Sequence, residues 1–360
     1  MTAASGSGIH QIVVAASPGD AITNLALDTR RLLREIGPSE IYAHLVAPEL
    51  QGDILPLTRY GPRSGHDLLI FHASMGQPDV QGFLASRREP IVLVYHNVTP
   101  GRFFDPYDPL FADLLARGRR EVEALRPQVV GAIAVSEYNA RELEAMGYRD
   151  VRVIPPVVDV RRLARVAPRE STMQHFASLG RPIMLSVGQL MPHKRPDFLV
   201  EMMHIAETYL ESRALLLLVG HQRLERFTRA IREQIQELDL EGVHLVGAVD
   251  DADLAAMYRS AHAVVTASEH EGFCIPLLEA MTFSKPVVAR ACAAIPETVG
   301  DAALLLPPEQ GPTFFAEAVC ELFNRPPLQR ALVDNGNRRL VQLEARPPDV
   351  AMLEVLLEVA

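Results

Sequence analysis

The chain lacks the features of several protein classes. Its three cysteines, Cys274, Cys292 and Cys320, are widely spaced and without metal-binding spacing, so we interpret them as reduced thiols. No apolar run approaches the roughly 18 residues of a membrane-spanning helix. The segment Met1–Gly8 lacks the basic start and the apolar stretch of a signal peptide. We therefore expect a cytoplasmic protein, for which peripheral contact with the inner face of the membrane stays open.

Positive charge is scarce as well. The sequence holds 35 Lys and Arg residues against 45 Asp and Glu residues, which gives a net charge of -10. A general nucleic-acid-binding protein would carry a basic surface, so the composition argues against nucleic acid as a partner. Only Lys194 and Lys285 are lysines, and we attribute the preference for arginine to genome composition.

The chain is long, and two kinds of segment alternate along it. Its 360 residues are more than one hydrophobic core usually holds, so two domains are expected. Short apolar runs alternate with amphipathic stretches, which is typical of parallel sheets with helices on both faces. Strands are predicted at Gln11–Ser17, Glu40–Val46, Asp67–Ala73, Ile91–Asn97, Gly131–Ser136, Asp150–Pro156, Pro182–Leu190, Ala214–Gly220, Gly242–Val249, His262–Ser268 and Pro286–Arg290. Helices are predicted at Asn24–Ile36, Leu110–Leu125, Pro196–Leu210, Leu224–Leu238, Asp251–Ala261 and Ile275–Phe283.

The predicted boundary between the domains lies at Ala167–Arg181, a segment with little pattern. It gives a first domain over residues 1–175 and a second over residues 176–345, followed by a short apolar helix in the tail Pro347–Ala360. In doubly wound sheets, ligands bind beyond the carboxyl ends of the strands. Motifs at those positions therefore carry more weight than motifs elsewhere.

The run Glu269–Ala280 (EHEGFCIPLLEA) contains the strongest functional signal. It follows the predicted strand His262–Ser268, and a glycine and a proline then introduce a helix. The unpaired N–H groups and the dipole at such a helix start hold phosphate. Glu271 lies before the helix and Glu279 lies about one turn inside it, so the two carboxylates can reach different hydroxyls of one elongated ligand. The alternative is a capping acid and a solvated helix glutamate.

The run Leu185–Asp197 (LSVGQLMPHKRPD) also follows a strand and opens a helix. Gly188 would let the backbone approach a ligand closely, and Lys194 would place a positive charge beside a departing diphosphate. The alternative is a surface lysine at a helix start. Because a cation there opposes the helix dipole, the functional interpretation is favoured.

Two predicted strands of the first half have a histidine near the carboxyl end. His96 belongs to the run Tyr95–Pro100 (YHNVTP), where it would face the ligand edge of the sheet, and His72 ends the preceding strand. A lone histidine is more often structural, so both interpretations stay open for each residue.

These motifs resemble glycosyltransferase family 4 of the retaining GT-B group, which carries the stretch Gly-Arg-x-x-x-x-Lys and the pattern Glu-Gly-Phe-Gly-x-Pro-x-x-Glu-Ala. The resemblance runs from about Pro182 to Gly300 and includes Lys285–Ala289 and Ile295–Glu297. The first half is similar to a branch of the family, less distinctively, at Gly19–Ile22, His72, His96–Pro100 and Ser136–Tyr138.

The resemblance implies an α/β fold of the GT-B type. Two Rossmann-like doubly wound domains would face each other across a cleft, with the tail 346–360 packed back on the first. Glu279 would bind the donor ribose, and Glu271 would hold hydroxyls of the transferred sugar. Lys194 would bind the diphosphate, helped by the N–H groups of Phe273 and Cys274.

In the first domain, the resemblance implies that His96 lies beside the transferred sugar. Gly19 would come near the diphosphate or the acceptor. The predicted catalytic residues are thus His96, Lys194 and Glu271. The predicted donor-binding residues are Gly19, Gly188, Gln189, Lys194, Glu271, Gly272, Phe273, Cys274, Ile275 and Glu279.

Two positions depart from the family pattern. Gln189 stands where arginine is usual, so one charge partner of the phosphates is missing. Cys274 stands where a second glycine is usual, and a cysteine is strained if the position needs a positive φ.

The implied function is transfer of a hexose from a UDP- or GDP-linked sugar to an acceptor hydroxyl, with retention of configuration, in bacterial glycan or glycoconjugate biosynthesis. The acceptor stays open among a glycan, a lipid-linked molecule and a small molecule. Neither a cofactor nor a metal is expected, since Asp251–Asp253 (DAD) precedes a helix that such aspartates cap routinely. Because of Gln189, a catalytically impaired sugar-nucleotide-binding protein is the main alternative.

Two other enzyme classes fit poorly. An α/β-hydrolase would use Ser74 as its nucleophile, but its elbow needs a glycine two residues earlier, where the chain has His72. A dinucleotide-dependent oxidoreductase would need its glycines after the first strand, whereas Gly6–Gly8 (GSG) precedes it.

Overall fold

The computed structural model describes residues 8–62, 67–210 and 213–359. Gly6 and Ser7 of the glycine-containing segment, most of Met1–Gly8 and the final Ala360 therefore lie outside the described residues. The chain divides into two units. The first comprises Met1–Asp105, Pro109–Val158 and Arg346–Ala360, and the second comprises Pro106–Asp108 and Asp159–Ala345.

Strands and helices alternate along most of the described chain. The strands are β1 (Ile9–Ala16), β2 (Ile41–Val46), β3 (Leu55–Pro56), β4 (Leu68–Ala73), β5 (Ile91–Tyr95), β6 (Val129–Ala134), β7 (Arg152–Val153), β8 (Ile183–Val187), β9 (Leu215–Val219), β10 (Val243–Gly247), β11 (Ala263–Thr266), β12 (Val287–Arg290) and β13 (Ala303–Leu306). The helices are α1 (Ala21–Arg34), α2 (Pro78–Ala85), α3 (Pro109–Leu125), α4 (Glu137–Ala145), α5 (Glu170–Leu179), α6 (Pro196–Tyr209), α7 (Glu225–Glu237), α8 (Asp251–Ser260), α9 (Ile275–Thr282), α10 (Ile295–Val299), α11 (Pro312–Asn324), α12 (Pro326–Glu344) and α13 (Pro348–Val359).

In the first unit, the described strands form a parallel sheet in the order β3-β2-β1-β4-β5-β6-β7. The strands β4 and β5 are buried along their whole length, which is typical of the centre of a parallel sheet. The register aligns Val13 with His72, so β1 and β4 end at the same edge of the sheet. Gly19 follows β1 and His96 follows β5 at that edge.

The helices of the first unit are fixed by local caps and by packing. The carboxylate of Asp20 caps α1 by accepting a hydrogen bond of 2.9 Å from the N–H of Thr23. Helix α13 packs against β6, where Val355 and Val359 lie over Gly131. The tail is therefore part of the first unit.

In the second unit, the described strands form a parallel sheet in the order β10-β9-β8-β11-β12-β13. Alternate residues of β9 pack into opposite cores, Leu216 and Leu218 into one and Leu215 and Leu217 into the other. Both faces of this sheet are thus covered. Because β8 and β11 are neighbours, the loops that follow them leave the sheet side by side.

The predicted α/β class with two doubly wound units is confirmed, and most predicted strands and helices differ from the observed ones by a few residues at their ends. The segment Ala167–Arg181, predicted to have little regular structure, contains α5. This helix buries only Phe176, so its apolar stripe is too weak to be recognised in the sequence. Residues 159–175 belong to the second unit, whereas the predicted boundary gives them to the first domain.

Other elements differ as well, since the helices α2, α4, α10, α11 and α12 were not predicted. The predicted strand Asp150–Pro156 reduces to the two residues of β7, and β3 and β13 were not predicted. Within residues 8–62, 67–210 and 213–359, no helix has both the length and the apolar character that crossing a membrane requires.

Candidate functional site

Two loops of the second unit carry most of the predicted site residues. One follows β8 and contains Gly188 and Lys194, and the other follows β11 and contains Glu271. Since neighbouring parallel strands end at the same edge, both loops lie where such sheets bind ligands. A hydrogen bond of 2.8 Å from the N–H of Glu269 to the carbonyl of His193 joins the two loops.

Lys194 and Glu271 form an ion pair between these loops. The atoms Lys194 Nζ and Glu271 Oε1 are 2.6 Å apart, and the two side chains are 24% and 11% exposed. The hydroxyl of Ser268 donates to the same carboxylate oxygen at 2.8 Å and lies 2.9 Å from the hydroxyl of Thr266. The carboxylate of Glu271 therefore has two hydrogen-bond partners that fix its position.

The electrostatics of this pair keep both groups charged. Burial opposes ionisation of each group, but the attraction between them outweighs it, so the pKa of Glu271 lies below its usual value and the pKa of Lys194 above. The neighbouring His193 stays uncharged at neutral pH, because burial and the charge of Lys194 lower its pKa to about 3.

Glycine is required beneath Lys194. Gly188 has a φ of 152°, and a Cβ at this position would lie 3.2 Å from Lys194 Cδ and Cε. A Cβ at Gly220, which follows β9, would lie 2.0 Å from the carbonyl oxygen of Gly188. The absence of a side chain at both positions lets the loop after β8 pass under the lysine.

The turn before α9 has a left-handed backbone at Cys274, with φ 73° and ψ 64°. Residues other than glycine seldom adopt this conformation, so the strain that the sequence led us to consider is present. The Cys274 side chain is buried in an apolar core of the second unit, which holds it in place. Thr298 Oγ1 donates to the carbonyl of Phe273 at 2.6 Å, and the Ala294 N–H donates to the carbonyl of Glu271 at 3.3 Å. Both contacts anchor the part of the turn that precedes the strained residue.

The start of α9 is open to an anion. The N–H groups of Phe273, Cys274 and Ile275 donate to no acceptor in the part of the chain that the structure describes. The partial positive charge at a helix N-terminus adds to these N–H groups. The arrangement is suited to phosphate oxygens.

Glu279 lies inside α9 with its carboxylate oriented by Tyr258. The Tyr258 hydroxyl lies 2.9 Å from Glu279 Oε2 and 3.2 Å from the carbonyl of Pro276. Burial raises the pKa of Glu279, and the Tyr258 hydrogen bond offsets only part of that effect. The carboxylate can therefore accept further hydrogen bonds from ligand hydroxyls, which would lower the cost of its ionisation.

The charge missing at Gln189 is not supplied by Arg195. The Arg195 guanidinium lies 3.0 Å from an oxygen of Asp197 and also forms an ion pair with Glu269. Two carboxylates thus compensate its charge. Gln189 itself is half-buried on the loop after β8.

In the first unit, His96 follows β5, and the next residue, Asn97, has a left-handed φ of 80°. The amide nitrogen of Asn97 donates to Asn139 at 2.8 Å and to Glu142 at 2.9 Å. Arg119 pairs with the other oxygen of Glu142 at 2.6 Å. This network fixes the backbone of the turn that carries His96.

The ring of His96 is held by His72. His72 Nδ1 lies 2.9 Å from His96 Nε2, and His72 Nε2 lies 2.9 Å from the side-chain oxygen of Gln11. Burial lowers the pKa of His96 to about 4, and burial together with His96 lowers the pKa of His72 well below its usual value. Both ring nitrogens of His72 are therefore engaged, which is a structural role.

Gly19 and His96 belong to the first unit, and Lys194, Glu271 and Glu279 belong to the second. Gly19 has a φ of 73° in the loop between β1 and α1. Within the second unit, the predicted residues of the loops after β8 and β11 do come together. Their joint action with Gly19 and His96 on one ligand, across a cleft, stays a prediction.

The acidic pair Asp251 and Asp253 lies in the first turn of α8 and forms ion pairs with Arg162 and Arg169. The capping residue is Asp250, which accepts a hydrogen bond of 2.9 Å from the N–H of Asp253. Among the described residues, no group of three or more His, Cys, Asp and Glu side chains is arranged to hold a metal ion.

Four residues that orient the predicted site residues were not predicted: Gln11, Glu142, Tyr258 and Ser268. Ser268 ends the run predicted as a strand and lies three residues before Glu271, which was a usable signal. The other contacts join distant positions, with Tyr258 separated by 21 residues from Glu279 and Gln11 by 61 from His72. No local pattern connects residues so far apart.

Two family models match this chain. The model described as "Glycosyl transferases group 1" matches residues 169–339, and the model described as "Glycosyltransferase Family 4" matches residues 6–162. The two matched ranges together contain every predicted site residue.

Individual proteins are similar to parts of this chain. D-inositol 3-phosphate glycosyltransferase of Kineococcus radiotolerans is 31% identical over 209 residues, which are 52% of this chain and 47% of that protein. The chain thus spans about half the length of that relative. A GDP-mannose-dependent alpha-mannosyltransferase of Mycobacterium tuberculosis is 27% identical over 310 residues, which are 85% of this chain and 68% of that protein.

Among solved structures, Anabaena HepE in complex with UDP-glucose aligns with a TM-score of 0.75 at 17% identity, covering 97% of this chain and 99% of that one. At this identity the likeness concerns the fold, and it confirms the predicted GT-B class. The site motifs lie within the matched family ranges. The second half of the chain, residues 169–339, therefore belongs to the group 1 glycosyltransferases, and the first half, residues 6–162, belongs to glycosyltransferase family 4.

Proposed function

We propose that this protein transfers a hexose from a nucleoside-diphosphate sugar to an acceptor hydroxyl with retention of anomeric configuration. The observation that carries the proposal is the Lys194–Glu271 ion pair beside the open N–H groups at the start of α9. An ammonium and free N–H groups complement a diphosphate, and the carboxylates of Glu271 and Glu279 complement sugar and ribose hydroxyls. A sugar nucleotide presents both kinds of group in one molecule.

In this proposal Lys194 offsets the charge that develops on the departing diphosphate. Glu271 holds hydroxyls of the transferred sugar, and Glu279, oriented by Tyr258, binds the ribose. His96 and Gly19 complete the site from the first unit. Since Lys194 and the N–H groups supply the positive potential, the proposed reaction needs neither a cofactor nor a divalent metal.

The base and the hexose of the donor can be found with a panel. The mycobacterial relative is named for GDP-mannose and the Anabaena structure contains UDP-glucose, so we propose a UDP- or GDP-linked hexose. Thermal midpoints should be measured with UDP-glucose, UDP-galactose and GDP-mannose. A ligand at about 100 times its Kd adds about 2.7 kcal/mol of stability. Stabilisation by none of the three would count against the proposal.

The reaction itself is tested with the selected donor and a panel of glycan, lipid-linked and small-molecule acceptors. We place it on the cytoplasmic side in bacterial glycan or glycoconjugate biosynthesis, at the inner face of the membrane if the acceptor is lipid-linked. NMR of the product should show the anomeric configuration of the donor, and activity should persist in chelator. An inverted product, or activity lost in chelator and restored by a metal, would overturn the proposed mechanism.

Gln189 favours a second candidate, a protein that binds sugar nucleotides without turning them over. The missing charge at this position and the engagement of Arg195 by two carboxylates weaken the positive potential at the diphosphate site. Binding of a selected donor without transfer or hydrolysis by the wild type would establish this candidate. The variant Gln189→Arg should then gain turnover, whereas under the first proposal wild type is already active.

A further inference from the structure

A buried chain of hydrogen bonds in the first unit leads from α1 to His96. It begins at the carbonyl of Ala26, which accepts a hydrogen bond of 3.0 Å from Gln11 Nε2. Gln11 Oε1 lies 2.9 Å from His72 Nε2, and His72 Nδ1 lies 2.9 Å from His96 Nε2. Gln11 and His72 are 0% and 1% exposed, so water does not compete for these bonds.

The direction of every bond in this chain follows from its first acceptor. The Ala26 carbonyl can only accept, so the amide nitrogen of Gln11 faces it and the amide oxygen faces His72. That oxygen can only accept as well, so His72 carries a proton on Nε2. With its single proton placed there, His72 accepts on Nδ1, and the proton of His96 lies on Nε2.

The surroundings of the two rings support one proton on each. A pocket beside them is lined mostly by apolar side chains, including Leu25, Val94 and Met352. Burial in this environment lowers the pKa of both His72 and His96. His96 Nδ1 then remains as an acceptor, and it has no hydrogen-bond partner among the described residues.

We propose that Gln11 and His72 are positioning residues that hold His96 in its Nε2–H tautomer, so that Nδ1 is presented as an acceptor to a hydroxyl of the transferred sugar. The inference rests on the proposed function, because His96 must lie beside the sugar. Gln11 on β1 and His72 on β4 project from neighbouring strands, so the sheet itself sets the geometry. Reversal of His72 would reverse His96 and replace the acceptor by an N–H group.

The tautomer can be measured without any sugar transfer. In protein labelled with 15N at histidine, correlation of ring nitrogens with carbon-bound ring protons distinguishes a protonated nitrogen from a bare one. His96→Gln assigns the signals. We expect the Nε2–H form in wild type, a mixed or reversed form in Gln11→Leu and His72→Leu, and the wild-type form in His72→Asn, whose side-chain oxygen replaces Nδ1 as acceptor.

An Nδ1–H form in wild type, or an unchanged His96 tautomer in both leucine variants, would overturn the positioning role. If His72→Leu does not fold, the comparison is made between Gln11→Leu and His72→Asn. If wild type shows the expected tautomer but transfers no sugar from any nucleotide of the panel, the proposed function fails and the positioning geometry stands.

Kinetics with the selected donor test whether the orientation of His96 affects sugar transfer. The leucine variants should lose about 10- to 100-fold in kcat/KM, the range expected for one lost hydrogen bond to a buried polar group. His72→Asn should recover most of this loss, and the affinity for UDP or GDP alone should not change. Equal losses in His72→Asn and His72→Leu would assign His72 a purely structural role and contradict the inference.

Discussion

The two units hold their parts of the predicted site by different physical means. In the second unit, a shielded ion pair between Lys194 and Glu271 joins the loops after β8 and β11. In the first unit, hydrogen bonds between uncharged groups hold the ring of His96, and the pair Arg119–Glu142 fixes the turn beside it.

The second unit thus supplies charge to the predicted site, whereas the first unit fixes the orientation of a side chain. A buried ion pair gives a strong local field, but each partner becomes costly when the other is removed. A network of uncharged groups gives little field and instead fixes the direction of its hydrogen bonds. We therefore expect substitutions in the second unit to change rates most, and substitutions in the first unit to act through geometry.

The largest effect is expected for Lys194→Ala. Loss of a preorganised charge at the departing diphosphate should lower the rate on the order of 10²-fold or more. The unpaired carboxylate of Glu271 should also cost about 3 kcal/mol of stability. The double variant Lys194→Ala with Glu271→Gln should recover stability, measured by urea unfolding, but not rate.

Lys285→Ala provides the control, since Lys285 is the other lysine of the chain and donates to the carbonyl of Arg259. Its turnover should match wild type. A Lys194→Ala enzyme within about twofold of wild type, against the loss expected for such a charge, would remove Lys194 from the proposed mechanism.

The two glutamates of the second unit should differ from each other. Glu279 is expected to bind the ribose equally in ground and transition states, so Glu279→Gln should raise the donor KM by about 10- to 150-fold. Glu271 is expected to contact the transferred sugar, which gains positive charge as the leaving group departs. Glu271→Gln should therefore lower kcat more than it raises KM. Steady-state kinetics of both variants test this, and the reverse pattern would show that the roles are exchanged.

In the first unit, Glu142→Gln should weaken the turn beside His96. The amide can still accept from Tyr95 or Asn97, but the ion pair with Arg119 is lost. We expect about 1–3 kcal/mol less stability and a smaller rate loss than in Lys194→Ala. Glu144→Gln, at an exposed position of the same helix, is the matched control and should change neither quantity. A rate loss in Glu142→Gln as large as in Lys194→Ala would erase the difference between the units.

Glu279 should also affect how stability depends on pH. Burial raises its pKa, so the folded protein binds this proton more tightly than the unfolded chain. Stability is then lost as pH rises from the unfolded pKa through the folded one. Glu279→Gln removes this loss. The thermal midpoint of the variant minus that of wild type should therefore increase from about pH 4 to about pH 7, a range that contains the ordinary glutamate pKa. A constant difference between the two proteins across this range would contradict the expectation.

The smallest effect concerns the strained turn at Cys274. Glycine adopts a left-handed backbone without cost, whereas alanine pays about 1–2 kcal/mol. Cys274→Gly should therefore be more stable than Cys274→Ala in urea unfolding. Cys320 lies within α11, where the order should be reversed by about 1 kcal/mol in favour of alanine. The same order at both positions would show that the left-handed conformation of Cys274 is not a source of strain.

Most strands and about half of the helices could be predicted because their signals are local. The central strands β4 and β5 are unbroken buried apolar runs, and α1 shows both an apolar stripe and an Asp20 cap. Helix α5 was not recognised, since Phe176 alone provides little pattern. The strands β3 and β7 have two residues each, too few for a periodicity to appear.

By itself, the sequence determined the alternation of strands and helices, the places where Lys194, Glu271 and Glu279 follow strands, and the two departures at Gln189 and Cys274. Spacing along the chain is sufficient for the first two features, since each depends on neighbouring residues, whereas the two departures follow from the resemblance to the family pattern.

Only the tertiary structure decided which groups act on one another. It paired Lys194 with Glu271 across 77 residues, oriented Glu279 with Tyr258, and connected Gln11 through His72 to His96. It also showed that Cys274 is left-handed and that Arg195 is engaged by Asp197 and Glu269. The physical reason is that charge, hydrogen-bond direction and backbone strain depend on distances in space, which the parallel sheets set by bringing remote strand ends together.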